Sequence, residues 1–162
     1  MKQSMYDRVA AYIVEHQDQF YRLAYSYVRS REDALDAVQN AVCRALEHCG
    51  SLRNEDALKT WFYRILVNES LRLLKDRNRF PLESGQERET AYEEKGFEAS
   101  DDLNSSISRL DGETQTIIRL RFFEELSLKE ISEITKLNLN TVKAKLYRGL
   151  RQLKVYVQEV DV

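Results

Sequence analysis

The sequence predicts an all-α protein of two small helical domains joined by a flexible linker, and three observations carry that expectation. One proline and five glycines in 162 residues leave few helix breaks, strong helix formers are abundant, and no run alternates apolar and polar residues over the length of a strand. Helix-start signatures recur: Ser30 with Asp33, and Ser127 with Glu130, have the three-residue spacing of a capping box. Residues 82–102, LESGQERETAYEEKGFEASDD, are acidic, carry two glycines and show no apolar stripe, the composition of a linker. The expected domains are therefore 1–81 and 103–162, with 82–102 between them.

In the first domain, Met5, Val9, Tyr12, Ile13, Phe20, Leu23, Ala24 and Tyr27 recur at helical spacing, so one or two packed helices open the chain. Ser30 then caps a helix that runs to about His48. Its expected buried stripe is Leu35, Val38, Val42, Ala45 and Leu46; the other face carries Asp33, Asp36, Gln39, Asn40, Arg44 and Glu47. Gly50 is placed as the C-terminal cap of this helix. After a polar loop, Ser51 to Asp56, a further helix is expected from Ala57 to Arg77 with Leu58, Phe62, Ile65, Leu66 and Leu73 in the core. Arg64, Asn68, Arg72, Lys75 and Arg79 form a polar, basic track beside Trp61 and Tyr63. Aromatic rings interleaved with cations suit single-stranded nucleic acid, because rings stack on bases while cations neutralise phosphates.

The second domain begins with a short helix around Leu103, Ile107 and Leu110. Asp111 is placed as the cap of another, Gly112 to Glu124, that packs through Ile117, Ile118, Leu120 and Phe122 or Phe123. SLKEISEITKLNLNTVKAKLYRGLRQLK, residues 127–154, then reads as two helices with a tight polar connection in which Asn140 is the expected second cap. The first buries Leu128, Ile131 and Ile134. The second buries Val142, Leu146, Leu150 and Leu153, and Lys143, Lys145, Arg148, Arg151 and Lys154 fill its other faces with no acidic residue among them. A basic second helix in such a pair resembles a helix-turn-helix DNA reader.

Charge narrows the function classes. A net charge of −2 argues against a protein that grips nucleic acid unaided by bulk electrostatics. The excess acid is local: residues 82–112 hold 3 basic and 9 acidic side chains. Cys43 and Cys49 lie about 240° apart around a helix, so they are expected as buried free thiols, and with His48 they lack zinc-ligand spacing. The two histidines have no evident nucleophile, and there is no glycine-rich phosphate loop, so no enzyme, cofactor or metal is expected. No signal peptide or long apolar span is present, which places the chain in the cytoplasm without membrane insertion.

Taken in order, REDALDAVQNAVCRAL (31–46), TWFYRILVNESLR (60–72) and LSLKEISEITKLNLNTVKAKLYRGLRQLK (126–154) resemble the bacterial RNA polymerase sigma factors of the extracytoplasmic-function class of the sigma-70 family. The resemblance covers most of the chain and implies a sigma region 2 bundle followed by a sigma region 4 helix-turn-helix. It implies a factor that binds core RNA polymerase and directs promoter-specific initiation. By this resemblance Asp33, Asp36, Gln39, Asn40 and Arg44 face the polymerase. Arg53, Asn54, Trp61, Arg64, Asn68, Arg72 and Lys75 handle melted minus-10 DNA, with Asn68 bonded to a flipped base and the loop 51–56 as pocket wall. Asn140, Thr141, Lys143, Lys145, Tyr147, Arg148 and Arg151 meet the minus-35 duplex. The further partner it implies is an anti-sigma factor, of which membrane-bound forms occur. Ala144 stands where a serine is common in the family, and Asn40 and Ala41 replace a commoner acidic residue and a bulkier neighbour. From the residues alone two other readings stand beside this one. A stand-alone helix-turn-helix regulator would dimerise on a palindromic duplex without polymerase. A helical adaptor for an acidic protein would show no DNA-dependent salt slope.

Overall fold

The computed structural model describes the backbone of residues 4–79 and 98–161, and the side chains of 4–77 and 103–154. Among the described residues there are seven α-helices and no strand, and no helix is long and apolar enough to cross a membrane. The helices fall into two compact units, one on each side of residues 80–97. Most of the stretch read as linker, 82–97, lies outside the described residues; its last part opens a helix.

The first unit packs α1 (Met5–Val28), α2 (Arg31–His48) and α3 (Leu58–Arg79) around one core. Ser4 caps α1 by accepting the Asp7 N–H at 3.1 Å, and Arg29, left-handed at φ 52°, ends it. His16 departs from helical geometry inside α1 at φ −114°, so one kinked helix stands where one or two were expected. Phe20 is the hub, with ring centroids 4.7 Å from Phe62 and 5.5 Å from Tyr63, the latter edge-on. Each such buried ring contributes on the order of 1.5–3 kcal/mol by leaving water. Tyr63 is thus core and not part of the polar track.

Ser30 caps α2 as expected, accepting the Asp33 N–H at 3.2 Å. Its buried stripe differs from the expected one. Ala34, Ala37, Ala41 and Ala45 are fully buried, Val38, Val42 and Leu46 are half-buried, and Leu35 is 54% exposed. Small side chains let α1 and α3 close onto α2, which rotates the larger ones to the flanks and Leu35 to solvent. Gly50 does not cap in the left-handed region; the chain tightens into a 3-10 turn, Cys49–Ser51, and Leu52 plugs the core. A second 3-10 turn, Glu55–Ala57, capped by Asn54, leads into α3. There Ile65 and Leu73 are half-buried while Val67 joins Leu58, Phe62 and Leu66 in the core. Cys43 is exposed and Cys49 half-buried, so neither is the buried thiol expected.

The second unit holds α4 (Glu98–Ser108), α5 (Gly112–Ile118), α6 (Leu128–Thr135) and α7 (Leu139–Asp161). Asp111 caps α5 by accepting the Thr114 N–H at 2.9 Å. The helix expected to reach Glu124 instead widens into a π turn, Arg119–Phe123. One extra residue per turn shifts every later side chain around the axis. Phe122 and Phe123 consequently face solvent and Arg119 is fully buried, donating to Asn104 Oδ1 and, at 3.3 Å, to Gln115 Oε1.

The capping box of α6 is complete, with Glu130 N–H to Ser127 Oγ at 3.0 Å and Ser127 N–H to Glu130 Oε1 at 2.9 Å. Lys136, left-handed at φ 65°, ends α6. The cap of α7 is Asn138, whose Oδ1 accepts the Thr141 N–H at 2.9 Å, and not Asn140. Starting α7 at Leu139 turns Val142, Leu146 and Leu153 inward; Leu128 and Leu150 are half-buried. Gly149 lets α7 close on α5, because a Cβ there would lie 2.5 Å from Thr114 Cγ2.

Candidate functional site

Three surfaces carry the residues singled out above. On α2 the outward face follows from the alanine stripe: with 34, 37, 41 and 45 inward, Asp36, Gln39 and Cys43 point outward, and Leu35 stands beside them. Asn40 is half-buried. Asp33 is partly committed within the chain, since Arg77 Nη1 of α3 donates to its Oδ2 at 3.0 Å. Arg44 also turns toward α3, its Nε 2.5 Å from Glu69 Oε2. The part of the expected docking face that is exposed and outside any ion pair among the described residues is therefore Asp36 and Gln39, together with Leu35, which was expected in the core.

The second surface is an open concavity of about 330 Å³ between the end of α2 and the middle of α3, at the lower end of small-ligand site volumes. Arg44 and His48 of α2 form one wall, Ser51 of the 3-10 turn a rim, and Trp61, Ile65, Asn68 and Glu69 of α3 the rest. Trp61, Ile65, Asn68 and Glu69 share a face because they are spaced by four, three and one residues on a helix of 3.6 per turn. Asn68 is exposed and its side chain makes no hydrogen bond to another described residue, so its amide has two donors and a carbonyl acceptor open to a ligand. Trp61, half-buried, lines the concavity but is not a fully exposed stacking platform.

Other residues expected at this surface are arranged differently. Arg53 and Asn54 are exposed but do not line the concavity, and Asn54 Oδ1 is occupied by the Asp56 N–H at 2.9 Å. Arg72 is held on α3 by Glu69 at 2.9 Å and Asp76 at 3.4 Å. Arg64 is half-buried, Lys75 is exposed, and Arg79 lies outside the residues whose side chains are described.

The third surface is α7. With Val142, Leu146, Gly149 and Leu153 inward, Asn140, Lys143, Ala144, Tyr147, Arg148 and Arg151 point outward, Tyr147 with 56% exposure, and Thr141 is half-buried at the edge. Lys145 is the exception among the cations: its side chain is 19% exposed and its Nζ sits 3.3 Å from Glu113 Oε1 of α5. The Thr114 backbone N–H is the main cause that holds the Asp111 carboxyl below the usual carboxylate range, and Lys145 and Arg148 push the same way.

Sequence reasoning missed Leu35, His48, Ile65 and Glu69. For Leu35 a signal was available, since alanines at 34, 37, 41 and 45 trace a tighter helical stripe than the larger residues do. Glu69 and Arg72 have the spacing of a helix ion pair. No spacing could show that Arg44, on another helix, completes it.

Two family comparisons cover both units: residues 12–80 match sigma-70 region 2 and residues 100–153 match sigma-70 region 4. The RNA polymerase sigma factor SigV of Bacillus subtilis is 39% identical over 151 residues, which span 93% of this chain and 91% of that protein. The ECF RNA polymerase sigma factor SigW of the same organism is 27% identical, over 99% of this chain and 94% of its own. Among solved structures, the sigma factor RpoE of Bartonella quintana, in complex with the anti-sigma factor NepR, matches with a TM-score of 0.72 at 19% identity, over 92% of this chain and 96% of that one. That last likeness concerns the fold, while the first, at its identity and coverage, decides the family. The chain belongs to the sigma-70 family of RNA polymerase sigma factors, in the extracytoplasmic-function class.

Proposed function

We propose that the chain is a dissociable initiation factor, without a catalytic site of its own, that binds core RNA polymerase in the cytoplasm and directs it to promoters. The domains serving this are 1–81 for docking and minus-10 melting and 103–162 for the minus-35 element. The observation that carries the reading is the Asn68 concavity. A stand-alone duplex reader has no use for an amide with open donors and acceptor set on the lining of a concavity, whereas a flipped base presents its Watson–Crick edge to such a group. Extruding a base costs a few kcal/mol, which pocket contacts and phosphate contacts must offset.

In this scheme Asp36, Gln39 and Leu35 meet the polymerase, with Asp33 and Asn40 at the edge of that contact. Lys143, Tyr147 and Arg148 enter the major groove, where arginine or lysine reads guanine acceptors, and Arg151 contacts phosphate. Lys145 steadies α7 on α5. RpoE in the solved complex is held by an anti-sigma factor, and the same mode of control is proposed here, with an anti-sigma protein covering the outward face of α2.

The experiment adds the purified protein to core polymerase and a promoter library. New start sites that depend on the protein are expected; an unchanged set of start sites sinks the proposal.

A further inference from the structure

Glu69 is a carboxylate with a side chain only 6% exposed, and the function described so far gives it no task. Arg44 Nε of α2 lies 2.5 Å from one of its oxygens, and Arg72 of α3 donates to the other through Nε at 3.2 Å and Nη2 at 2.9 Å. A buried ion pair offsets its desolvation only when its geometry is good and its lone pairs are satisfied, and here two arginines converge on the two oxygens, Arg72 by two hydrogen bonds and Arg44 by a close ion pair. The arginines themselves stay open: the Arg44 side chain is 55% exposed and that of Arg72 46%. Glu69 thus fixes one edge of each guanidinium; the far edge of Arg72 is met by Asp76 at 3.4 Å, and that of Arg44 faces solvent.

Arg44 and Glu69 line the same concavity as Asn68. Its Nε is taken by Glu69, and the Arg44 Nη groups have no partner among the described residues, so they are available as donors beside the Asn68 amide. We infer that Arg44 reads the captured nucleotide from the wall opposite Asn68, and that Glu69 is the positioning residue that aims it, so that Arg44 belongs to the DNA pocket and not to the polymerase-docking face. The chemistry suits the base: a guanidinium donates to ring nitrogen or carbonyl acceptors, and Asn68 supplies both a donor and an acceptor. Arg72, held by the same carboxylate, fixes the α3 side of the clamp. The inference rests on the proposal that the Asn68 concavity takes an unstacked base.

The test uses holoenzyme reconstituted from core polymerase and the full chain, with fork-junction promoter DNA whose single-stranded minus-10 segment is scanned by abasic substitution. Arg44→Ala and Glu69→Gln are each expected to weaken binding of the intact strand about tenfold or more, the loss of roughly one charge-assisted hydrogen bond. That loss should fall below about twofold on the strand abasic at the captured position, and the double variant should be no worse than Arg44→Ala alone. Core polymerase affinity should stay within about twofold for Arg44→Ala, in which Glu69 keeps its two hydrogen bonds from Arg72. Lower core affinity with unchanged strand binding would return Arg44 to the docking face. A loss that persists on every abasic strand would make Arg44 a backbone contact, and an Arg44→Ala protein equal to wild type would remove its role altogether. If Glu69→Gln does not fold, Arg44→Gln takes its place in the scan, with the same expected loss. Asn68→Ala separates the two levels: if it binds the intact strand normally, the pocket reading itself fails, whereas a defect in Asn68→Ala with none in Arg44→Ala overturns only this inference.

Discussion

Asp111 ties the start of one helix to the charges of its neighbour. Its carboxylate accepts the Thr114 N–H, and this bond, with Lys145 and Arg148 nearby, holds its pKa below the ordinary carboxylate value. A depressed folded-state pKa contributes stability that is present above the unfolded value, near 3.9, and is lost as pH falls through the folded one. Asp111→Ala should therefore cost about 1 kcal/mol at neutral pH, the usual worth of an N-cap, and the gap to wild type should narrow once pH drops below about 4. Thermal melts of both proteins from pH 7 downward check this, and a constant gap would mean that the charge contributes nothing. At the same scale, Arg148→Ala should weaken use of the upstream promoter element, while Asn68→Ala should impair opening and keep upstream binding. Permanganate reactivity of the melted strand and duplex footprinting separate the two, and equal loss of duplex binding in both variants would refute the division.

Helix ends were the most legible part of the sequence, because a cap is a local interaction. The Ser30, Asp111 and Ser127 caps form as their spacing predicts. What escaped is set by contacts between elements: the alanine stripe that turns Leu35 outward, the π turn that exposes Phe122 and Phe123, and the Arg44–Glu69 bridge. Asn138 was missed in favour of Asn140 because both asparagines have the chemistry of a cap, and the choice depends on where α7 meets the core. The α5–α7 contact gives a sharp case of the same kind. Helix propensity alone predicts that Gly149→Ala stabilises α7 by roughly 1 kcal/mol. Its Cβ, however, would stand 2.5 Å from Thr114 Cγ2 and 2.9 Å from Ile118 Cδ1, two buried β-branched side chains with little room to move. Overpacking of this sort costs on the order of 1–3 kcal/mol, so a net loss of stability is expected, and Thr114→Ser should recover part of it in the double variant. A higher melting temperature for Gly149→Ala alone would show that the two helices yield.

For the whole molecule, weak intrinsic DNA binding follows from how few cations are open. Among the α7 residues proposed to meet the minus-35 duplex, Lys143, Arg148 and Arg151 are exposed, while Lys145 is engaged by Glu113, and the chain as a whole carries −2. Even if all three neutralised a phosphate, the salt slope would be about −2.7 in log K against log salt, far shallower than that of a self-sufficient DNA-binding protein. Docking on the polymerase supplies what is missing, because two weak readers held on one body gain through effective concentration without any new contact. The free chain should therefore bind a promoter duplex with a slope no steeper than about −3, and the holoenzyme should bind the same DNA far more tightly. Arg151→Ala should make the slope of the free chain shallower by about 0.9 and leave its preference among minus-35 sequences unchanged, as expected for a phosphate contact. Titrations of the free proteins from 50 to 200 mM salt, a range roughly matched to such slopes, decide it. A free-chain slope near −10 would mean that the molecule grips DNA by itself, and polymerase would then be dispensable for promoter binding.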